Sequence, residues 1–257
     1  MIFNVLAIGD VCGRTGLDFL CEKLRSYKKL AGISFTVVNG ENTVGIGITP
    51  ADAQELLDAG VDVITLGNHT WGVQKINRFL DDNRYILRPS NFAPQVPGRG
   101  WGEYETEFGS ICVINLIGRA QMLYNSENPF FEVDRILKQV ESKIVLVDFH
   151  AEATSEKLAM AYYLDGRASA VWGTHTHVQT SDIRVFKGGM GYITDLGMTG
   201  AYESIIGMEQ KEPISRFLGN PNNRFEPAVG PAKIEGAIFG IDSETGKCVT
   251  AEAIRIM

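Results

Sequence analysis

The first half of the chain repeats one pattern, in which a short apolar run is followed by a glycine-containing polar loop and then by apolar positions at helical spacing. The apolar runs that predict strands lie at residues 3–8, 35–38 and 61–66. Helical spacing follows over residues 17–30, from Thr49-Pro50 onward, and again up to about residue 80. Thr49 suits a helix N-cap and Pro50 the first turn. Alternating strands and helices predict a parallel sheet with helices packed outside it.

The second half of the chain predicts another sheet. Extended segments at 103–108 and 111–117 flank Gly109-Ser110 and predict an antiparallel hairpin that begins this sheet. The strand, loop and helix pattern then returns, with predicted strands at 144–149, 168–172, 183–186 and 191–194, helices at 152–164 and 209–218, and a final hairpin of 233–241 with 249–256. Two stacked mixed sheets with helices on both outer faces accommodate this order.

Composition and charge narrow the protein class. The 257 residues are 44% hydrophobic and 21% charged, and no compositional seam divides them, which predicts a single domain over 1–257. The net charge of -7 disfavours duplex DNA and anionic lipid as partners but allows a small phosphorylated substrate through local charge. Four cysteines without a CxxC pair favour a reducing, cytoplasmic setting. The apolar opening has no preceding basic region and predicts a first strand rather than a signal peptide, and no stretch has the length of a membrane span.

Metal-binding side chains follow the predicted strands. All four histidines, at positions 69, 150, 175 and 177, come directly after a strand, and Asp10, Glu41, Asn42 and Asn68 hold equivalent positions. Ligands of open α/β sheets gather beyond the carboxyl ends of the strands, because several loops converge there. This mixture of oxygen and nitrogen donors suits iron, manganese or zinc better than magnesium, and it is large enough for two ions.

Each of these motifs also has a simpler explanation. In an extended segment the two rings of His175-Thr176-His177 would face one metal centre, whereas two unrelated histidines in a polar turn are the alternative. Gly67 would let its loop bend sharply and present Asn68 and His69 together, although an asparagine turn is also typical there. Asp10 taken singly suits a helix cap, and His150 taken singly suits a hydrogen-bonded core position. Donors at five strand ends together favour the metal site.

The pattern resembles the calcineurin-like metallophosphoesterases, and among them the YmdB-type branch, along most of the chain. The residues that carry the resemblance are Gly9-Asp10, Gly40-Glu41-Asn42-Thr43, Gly67-Asn68-His69-Thr70-Trp71, Phe149-His150-Ala151-Glu152 and Gly173-Thr174-His175-Thr176-His177. Two departures from the broad superfamily resemble this branch: the usual Asp-x-His is Asp10-Val11-Cys12, and the usual bridging aspartate is Glu41. Cys12 is then either a soft metal ligand or a small residue that turns the loop.

The resemblance implies a four-layer αββα sandwich of two mixed sheets in a bacterial cytoplasmic protein. It implies two divalent or mixed-valence transition-metal ions, iron or manganese first and zinc as the alternative, with Glu41 bridging them. The implied ligands are Asp10, Glu41, Asn42, Asn68, His150, His175 and His177. A metal-bridging hydroxide would attack a small phosphodiester, chiefly a 2′,3′-cyclic nucleotide with 3′,5′-cyclic nucleotides as a further candidate, and His69 would be the general acid.

Two other functions stay open from the sequence, as does a homo-oligomeric state. A metal-dependent nucleotide sensor or scaffold would bind the same ligand without hydrolysing it. A dinucleotide-binding oxidoreductase is suggested by the glycines of 9–16 and 45–47, but neither stretch has the GxGxxG fingerprint and the histidines would have no role.

Overall fold

The computed structural model describes residues 1–220 and 224–257, and within those ranges it has six helices and fourteen strands. The helices are α1 (Gly13–Ala31), α2 (Pro50–Ala59), α3 (Ile76–Asp82), α4 (Pro129–Leu137), α5 (Thr154–Leu164) and α6 (Lys211–Phe217). The strands are β1 (Ile2–Ile8), β2 (Asp10–Val11), β3 (Ile33–Asn39), β4 (Val63–Thr65), β5 (Ile86–Leu87), β6 (Trp101–Thr106), β7 (Gly109–Ile117), β8 (Ile144–His150), β9 (Ala170–Thr174), β10 (Arg184–Val185), β11 (Gly191–Ile193), β12 (Met198–Ala201), β13 (Ala232–Asp242) and β14 (Cys248–Ile256).

Both sheets are mixed, as predicted. The first sheet has the order β2-β12-β13-β1-β3-β4-β5, with β14 paired to β13, and the second has the order β10-β11-β9-β8-β7-β6. Strands β1, β3, β4 and β5 pair in parallel, and so do β7, β8, β9 and β11. The antiparallel pairs include the two hairpins predicted from the sequence, β6 with β7 and β13 with β14.

The sheets pack face to face between two helical layers. The core between them includes Val5 and Phe35 of the first sheet and Val113 and Trp172 of the second, all nearly inaccessible to solvent. Helices α1, α2 and α3 cover the outer face of the first sheet, and α4 and α5 cover that of the second. This is the four-layer αββα sandwich expected from the sequence.

Element boundaries follow local chemistry. Helix α2 begins at the predicted residues, where Thr49 and Asp52 form a capping box around Pro50. Helix α1 begins at Gly13, four residues earlier than predicted, because Cys12 already has the extended backbone of an N-cap residue. The first hairpin turns at Glu107-Phe108 rather than Gly109-Ser110, since Thr106 pairs with Gly109. Helix α4 and the short strands β2, β5 and β12 were not predicted from the sequence.

The glycines of the first loop allow close packing against β12. A Cβ atom at Gly9 would overlap the carbonyl of Gly197, and one at Gly16 would overlap the carbonyl of Thr199. The chain can therefore run from β1 through β2 into α1 directly against β12, which places Asp10 at the edge where the first sheet meets the second. None of the helices in the described ranges is both long and apolar enough to cross a membrane.

Candidate metal centre

The Nε2 atom of His150 lies at the centre of a group of four buried or half-buried donors. It is 2.9 Å from Asn68 Oδ1, 3.0 Å from His175 Nδ1 and 3.1 Å from Glu41 Oε1. Ligand atoms that surround one cation at about 2.1 Å and at right angles lie about 3 Å apart. These four side chains, which we call the His150 group, therefore have spacings that fit a transition-metal ion.

A buried hydrogen-bond chain sets the tautomer of His150. The Thr174 hydroxyl donates to Asp148 Oδ1 at 2.7 Å and must therefore accept the Nδ1–H of His150, which lies 2.9 Å from it. Asp148 is held in turn by Thr65 at 2.5 Å and Asn39 at 3.2 Å, and burial raises its pKa to about 6. Nε2 of His150 consequently faces the carboxylate of Glu41 and the amide oxygen of Asn68. Burial by itself would lower the pKa of His150, but the charge of Glu41 and then that of Asp10 outweigh it and raise the pKa, so this position attracts a positive charge, either a proton on Nε2 or a metal ion in its place.

A second group of donors surrounds His177. Its Nδ1 donates to the carbonyl of Ile206 at 2.8 Å, so that its Nε2 faces Asn42 Nδ2 at 3.1 Å and Asp10 Oδ1 at 3.7 Å. Asn42 Nδ2 also lies 3.5 Å from Glu41 Oε1, so Glu41 adjoins this group as well as the His150 group. Asp10, Asn42 and His177, with Glu41 beside them, form what we call the His177 group, in which Asn42 would bind an ion through its Oδ1 atom, the acceptor that also faces His69 Nδ1.

Asp10 provides a second indication that a cation belongs here. Its side chain is fully buried, and Oδ1 has no hydrogen-bond partner among residues 1–220 and 224–257. Burial raises the pKa of Asp10, because the carboxylate loses its hydration. A buried carboxylate oxygen without a donor is costly unless a cation neutralises it. The donors present in both groups therefore fit the metal ions that the sequence predicts.

The charges around Glu41 and His175 favour metal binding near neutral pH. Burial by itself would raise the pKa of Glu41, but His150 and then His69 outweigh it and lower the pKa to about 2. Burial, followed by the charge of His150, lowers the pKa of His175 to about 3. Glu41 is therefore a carboxylate and His175 a neutral imidazole, which are the forms that coordinate metals.

His69 touches both groups. Its Nδ1 is 2.9 Å from Asn42 Oδ1 and 3.6 Å from Glu41 Oε1, and its backbone N–H donates to Glu41 Oε2 at 3.1 Å. The side chain is partly exposed and lines the large cavity above the donors. His69 can therefore reach a molecule in the cavity.

The loop of His175 and His177 differs from the extended segment expected from the sequence. Strand β9 ends at Thr174, and both histidines have left-handed backbones, with φ of 104° and 64°. Their rings belong to different groups rather than facing one centre. Such conformations in residues other than glycine are strained, so other contacts must maintain them. Asp10 accepts from the N–H of His175 and Asp195 from the N–H of Thr176, each at 3.1 Å.

A buried ion pair that was not predicted from the sequence lies beneath this loop. Lys157 Nζ donates to Asp195 Oδ2 at 2.7 Å, and each side chain is 1% exposed. Asp195 follows strand β11 as Asp10 follows β1, which was an available signal, and Lys157 lies on the buried face of α5. Glu152 also acts on the loop, since its carboxylate lies 3.2 Å from His175 Nε2 and leaves Nδ1 for the His150 group.

Two local explanations from the sequence, for Gly67 and for Asp10 as a helix cap, differ from the structure. Gly67 has no left-handed backbone; glycine is required because a Cβ atom there would overlap Glu41 and His150. Asp10 does not cap α1, since Cys12 is the N-cap residue and makes no capping bond through its side chain. The Cys12 thiol lies 3.4 Å from His177 Nδ1 and donates to the carbonyl of Asp10.

Comparison with known proteins identifies the family. The model of the YmdB-like protein family matches residues 6–254. The chain belongs to the YmdB-like family. A 2′,3′-cyclic-nucleotide 2′-phosphodiesterase of Bacillus subtilis (strain 168) is 43% identical over 256 residues, which cover 98% of this chain and 97% of that protein. The branch predicted from the sequence is confirmed.

Two solved structures share the architecture of this YmdB-like chain. A hypothetical protein from Thermus thermophilus has a TM-score of 0.92 at 38% identity, covering 99% of each chain. A novel phosphatase from Mycoplasma pneumoniae has a TM-score of 0.93 at 32% identity, covering 100% of this chain and 94% of that one. The αββα arrangement is therefore shared by relatives along the whole chain.

Proposed function

We propose that this YmdB-like chain hydrolyses 2′,3′-cyclic nucleotides with two divalent transition-metal ions. At the broader level it is a phosphoesterase, in keeping with relatives that bear the names of a phosphodiesterase and a phosphatase. The observation that carries the proposal is the pair of adjacent donor groups on either side of Glu41: the buried Glu41 and Asn68 oxygens face His150 in one, and Asp10 Oδ1 in the other is without a partner among the described residues. The relative from Bacillus subtilis, which bears the name of a 2′,3′-cyclic-nucleotide 2′-phosphodiesterase, supports the choice of substrate.

The ligands divide by group. Asn68, His150 and His175 would hold one ion, Asp10, Asn42 and His177 the other, and Glu41 would contribute to both. The mixed nitrogen and oxygen set favours iron or manganese, with zinc as the alternative. Two such ions lower the pKa of water and offset negative charge on phosphoryl oxygens.

His69 would supply the proton that the reaction needs. Water adds its oxygen to the phosphorus, the bond between phosphorus and O2′ breaks, and the imidazole gives a proton to O2′, which leaves a nucleoside 3′-phosphate. General acid catalysis of this kind contributes roughly 10²–10⁴-fold in rate. Asn42 Oδ1, at 2.9 Å from Nδ1, would hold the ring in position for this transfer.

Metal analysis combined with a substrate screen tests the proposal. Protein purified without chelator should contain about two ions per chain, and it should hydrolyse 2′,3′-cyclic nucleotides faster than 3′,5′-cyclic nucleotides or monoesters. Asp10→Asn and His177→Ala should each lower the metal content, because each removes a donor. Full metal loading of both variants would show that the ligands lie elsewhere. Tight nucleotide binding without product would instead identify a sensor.

A further inference from the structure

The cavity above the metal centre is larger than a cyclic mononucleotide requires. Its volume is about 1330 Å³, whereas sites for small molecules usually enclose about 300–1,000 Å³. One end is lined by His69 and by four members of the donor groups, Glu41, Asn42, His175 and His177. The other part, which we call the far end, is formed by α6 and the residues from Arg224 onward, and it is lined by Pro213, Arg216, Phe217, Arg224, Phe225 and Glu226.

The far end presents an aromatic ring beside a cation. The Arg216 guanidinium lies 5.4 Å from the centre of the Phe225 ring, and 38% of Phe225 is accessible to solvent. Ile206 and Phe217, which also line the cavity, are still more exposed. A partly exposed aromatic ring with arginine next to it is the usual platform on which single-stranded nucleic acid stacks a base.

The same end carries two arginines and one carboxylate, Glu226, and neither arginine is paired with a carboxylate in the part of the chain that the structure describes. Within residues 1–220 and 224–257, neither Arg216 nor Arg224 forms a salt bridge, although the chain as a whole has a net charge of -7. Glu152 and Glu226 also line the cavity, but Glu152 is engaged by His175 at 3.2 Å. An arginine beside a cavity without an acidic partner is suited to bind a phosphate group, because one guanidinium can donate two parallel N–H hydrogen bonds to the phosphate oxygens.

We propose that this end binds the 5′ side of the substrate, with the 5′ phosphate on Arg216 and Arg224 and the preceding base on Phe225. The preferred substrate is then the 2′,3′-cyclic phosphate end of a short single-stranded oligoribonucleotide. This inference rests on the function proposed for the metal end. Such ends form when a 2′-hydroxyl of RNA attacks the adjacent phosphodiester, so a transesterifying RNA cleavage must supply the substrate.

Three substrates of increasing length test the inference on the metal-loaded wild-type protein. They are adenosine 2′,3′-cyclic phosphate, its 5′-phosphorylated form, and the dinucleotide adenylyl-adenosine with a 2′,3′-cyclic phosphate end. We expect kcat/KM to rise along this series, on the order of 10-fold or more for the dinucleotide, which is the size expected for one stacked base. A rise that stops at the 5′-phosphorylated form would overturn the base platform.

Variants locate the effect. Arg216→Ala and Phe225→Ala should lower kcat/KM for the dinucleotide more than for the mononucleotide. Arg184→Ala is the matched control, because Arg184 lies 4.4 Å from the Phe186 ring but does not line this cavity, and it should change neither value. Equal losses on both substrates in Arg216→Ala and Phe225→Ala would overturn the inference.

Other outcomes separate this inference from the proposed function. Equal kcat/KM for all three substrates would overturn the longer substrate and leave the cyclic phosphodiesterase intact. If none of the three substrates is turned over, both this inference and the proposed function are overturned. The mononucleotide needs only the metal end of the cavity, so its lack of turnover identifies the chemistry at that end as the failure. Light scattering gives the oligomeric state of the wild type and of both variants. If the wild type is a dimer and Arg216→Ala and Phe225→Ala are monomers, a second copy of the chain covers this end of the cavity, and the inference is overturned.

Discussion

Each histidine ring of the two donor groups is oriented by a further contact on the side away from the proposed ion. His150 is oriented by Thr174, His177 by the carbonyl of Ile206, and His175 by Glu152. These contacts leave one ring nitrogen of each histidine for the donor groups. Partners of this kind are the usual means of fixing both the tautomer and the ring orientation of a metal ligand.

Loss of His69 should separate catalysis from metal binding. We expect His69→Ala to keep its metal and to lose roughly 10²–10⁴-fold in kcat on a 2′,3′-cyclic nucleotide, because no acid protonates the departing O2′. A nitrophenyl phosphodiester has a leaving group that needs no proton, and its turnover should fall much less. Steady-state kinetics with metal analysis provide the measurement. Unchanged turnover of the cyclic nucleotide would remove His69 from the acid role.

The Thr174 hydroxyl should control metal affinity without touching the metal. Thr174→Val removes the acceptor for His150 Nδ1–H while it preserves shape, and we expect metal affinity to fall about 10–100-fold in competition with a chelating dye. Thr174→Ser should restore it. Thr36→Val is the matched control, since the buried Thr36 hydroxyl has no partner among the described residues. Equal affinities in Thr174→Val and the wild type would show that the hydrogen-bond chain has no such influence.

At the scale of elements, the important feature is how the loop after β9 is held. Its two histidines have strained backbones, and the carboxylates of Asp10 and Asp195 accept hydrogen bonds from N–H groups of the loop. Asp195 is paired with Lys157 of α5, so a helix on the outer face of the second sheet stabilises the loop. The loop therefore depends on elements from both sheets.

Breaking the buried ion pair should be costly. Lys157→Met leaves Asp195 as an unpaired buried charge, and we expect the free energy of unfolding to fall by about 3–5 kcal/mol in urea titrations. Lys23→Met, which breaks the exposed pair with Glu22, should cost less than about 1 kcal/mol. A similar small loss in both variants would mean that Asp195 is not charged or finds another partner.

At the scale of the whole molecule, the candidate metal centre joins distant parts of the chain. Asp10 and the N–H of His175, which are 165 residues apart, form a direct hydrogen bond. Glu41 of the first sheet likewise contacts His150 of the second. Ions bound at this junction would stabilise the packing of one sheet on the other.

Chelation should therefore lower thermal stability. Each ion at about 100 times its Kd contributes about 2.7 kcal/mol, so two ions contribute roughly 5 kcal/mol, and each kcal/mol shifts the melting temperature of a chain of this size by roughly 2–4 °C. We expect a chelator to lower the Tm by about 10–20 °C in calorimetry, reversibly on adding manganese. Asp10→Asn should show a smaller shift. A Tm unaffected by chelation of protein that had contained metal would contradict the proposed junction.

Elements that depend on neighbouring residues could be predicted from the sequence, whereas those that depend on residues distant in the chain could not. Periodicities of apolar residues are local, so they gave the main strands and helices, whereas β2, β5 and β12 have two to four residues and are defined by their partners. The distant ion pair of Lys157 with Asp195 also left only a weak local signal.

The amino-acid sequence by itself determined two mixed sheets with helices on their outer faces, and it placed eight polar side chains directly after strands. Because parallel strands bring their carboxyl ends to one edge of a sheet, these side chains were expected to lie close together. Tertiary structure alone decided that His175 and His177 enter different groups, that Glu41 lies between them, and that Gly67 has no room for a side chain. These features depend on distances between segments far apart in the chain, which packing of the two sheets sets and local sequence cannot encode.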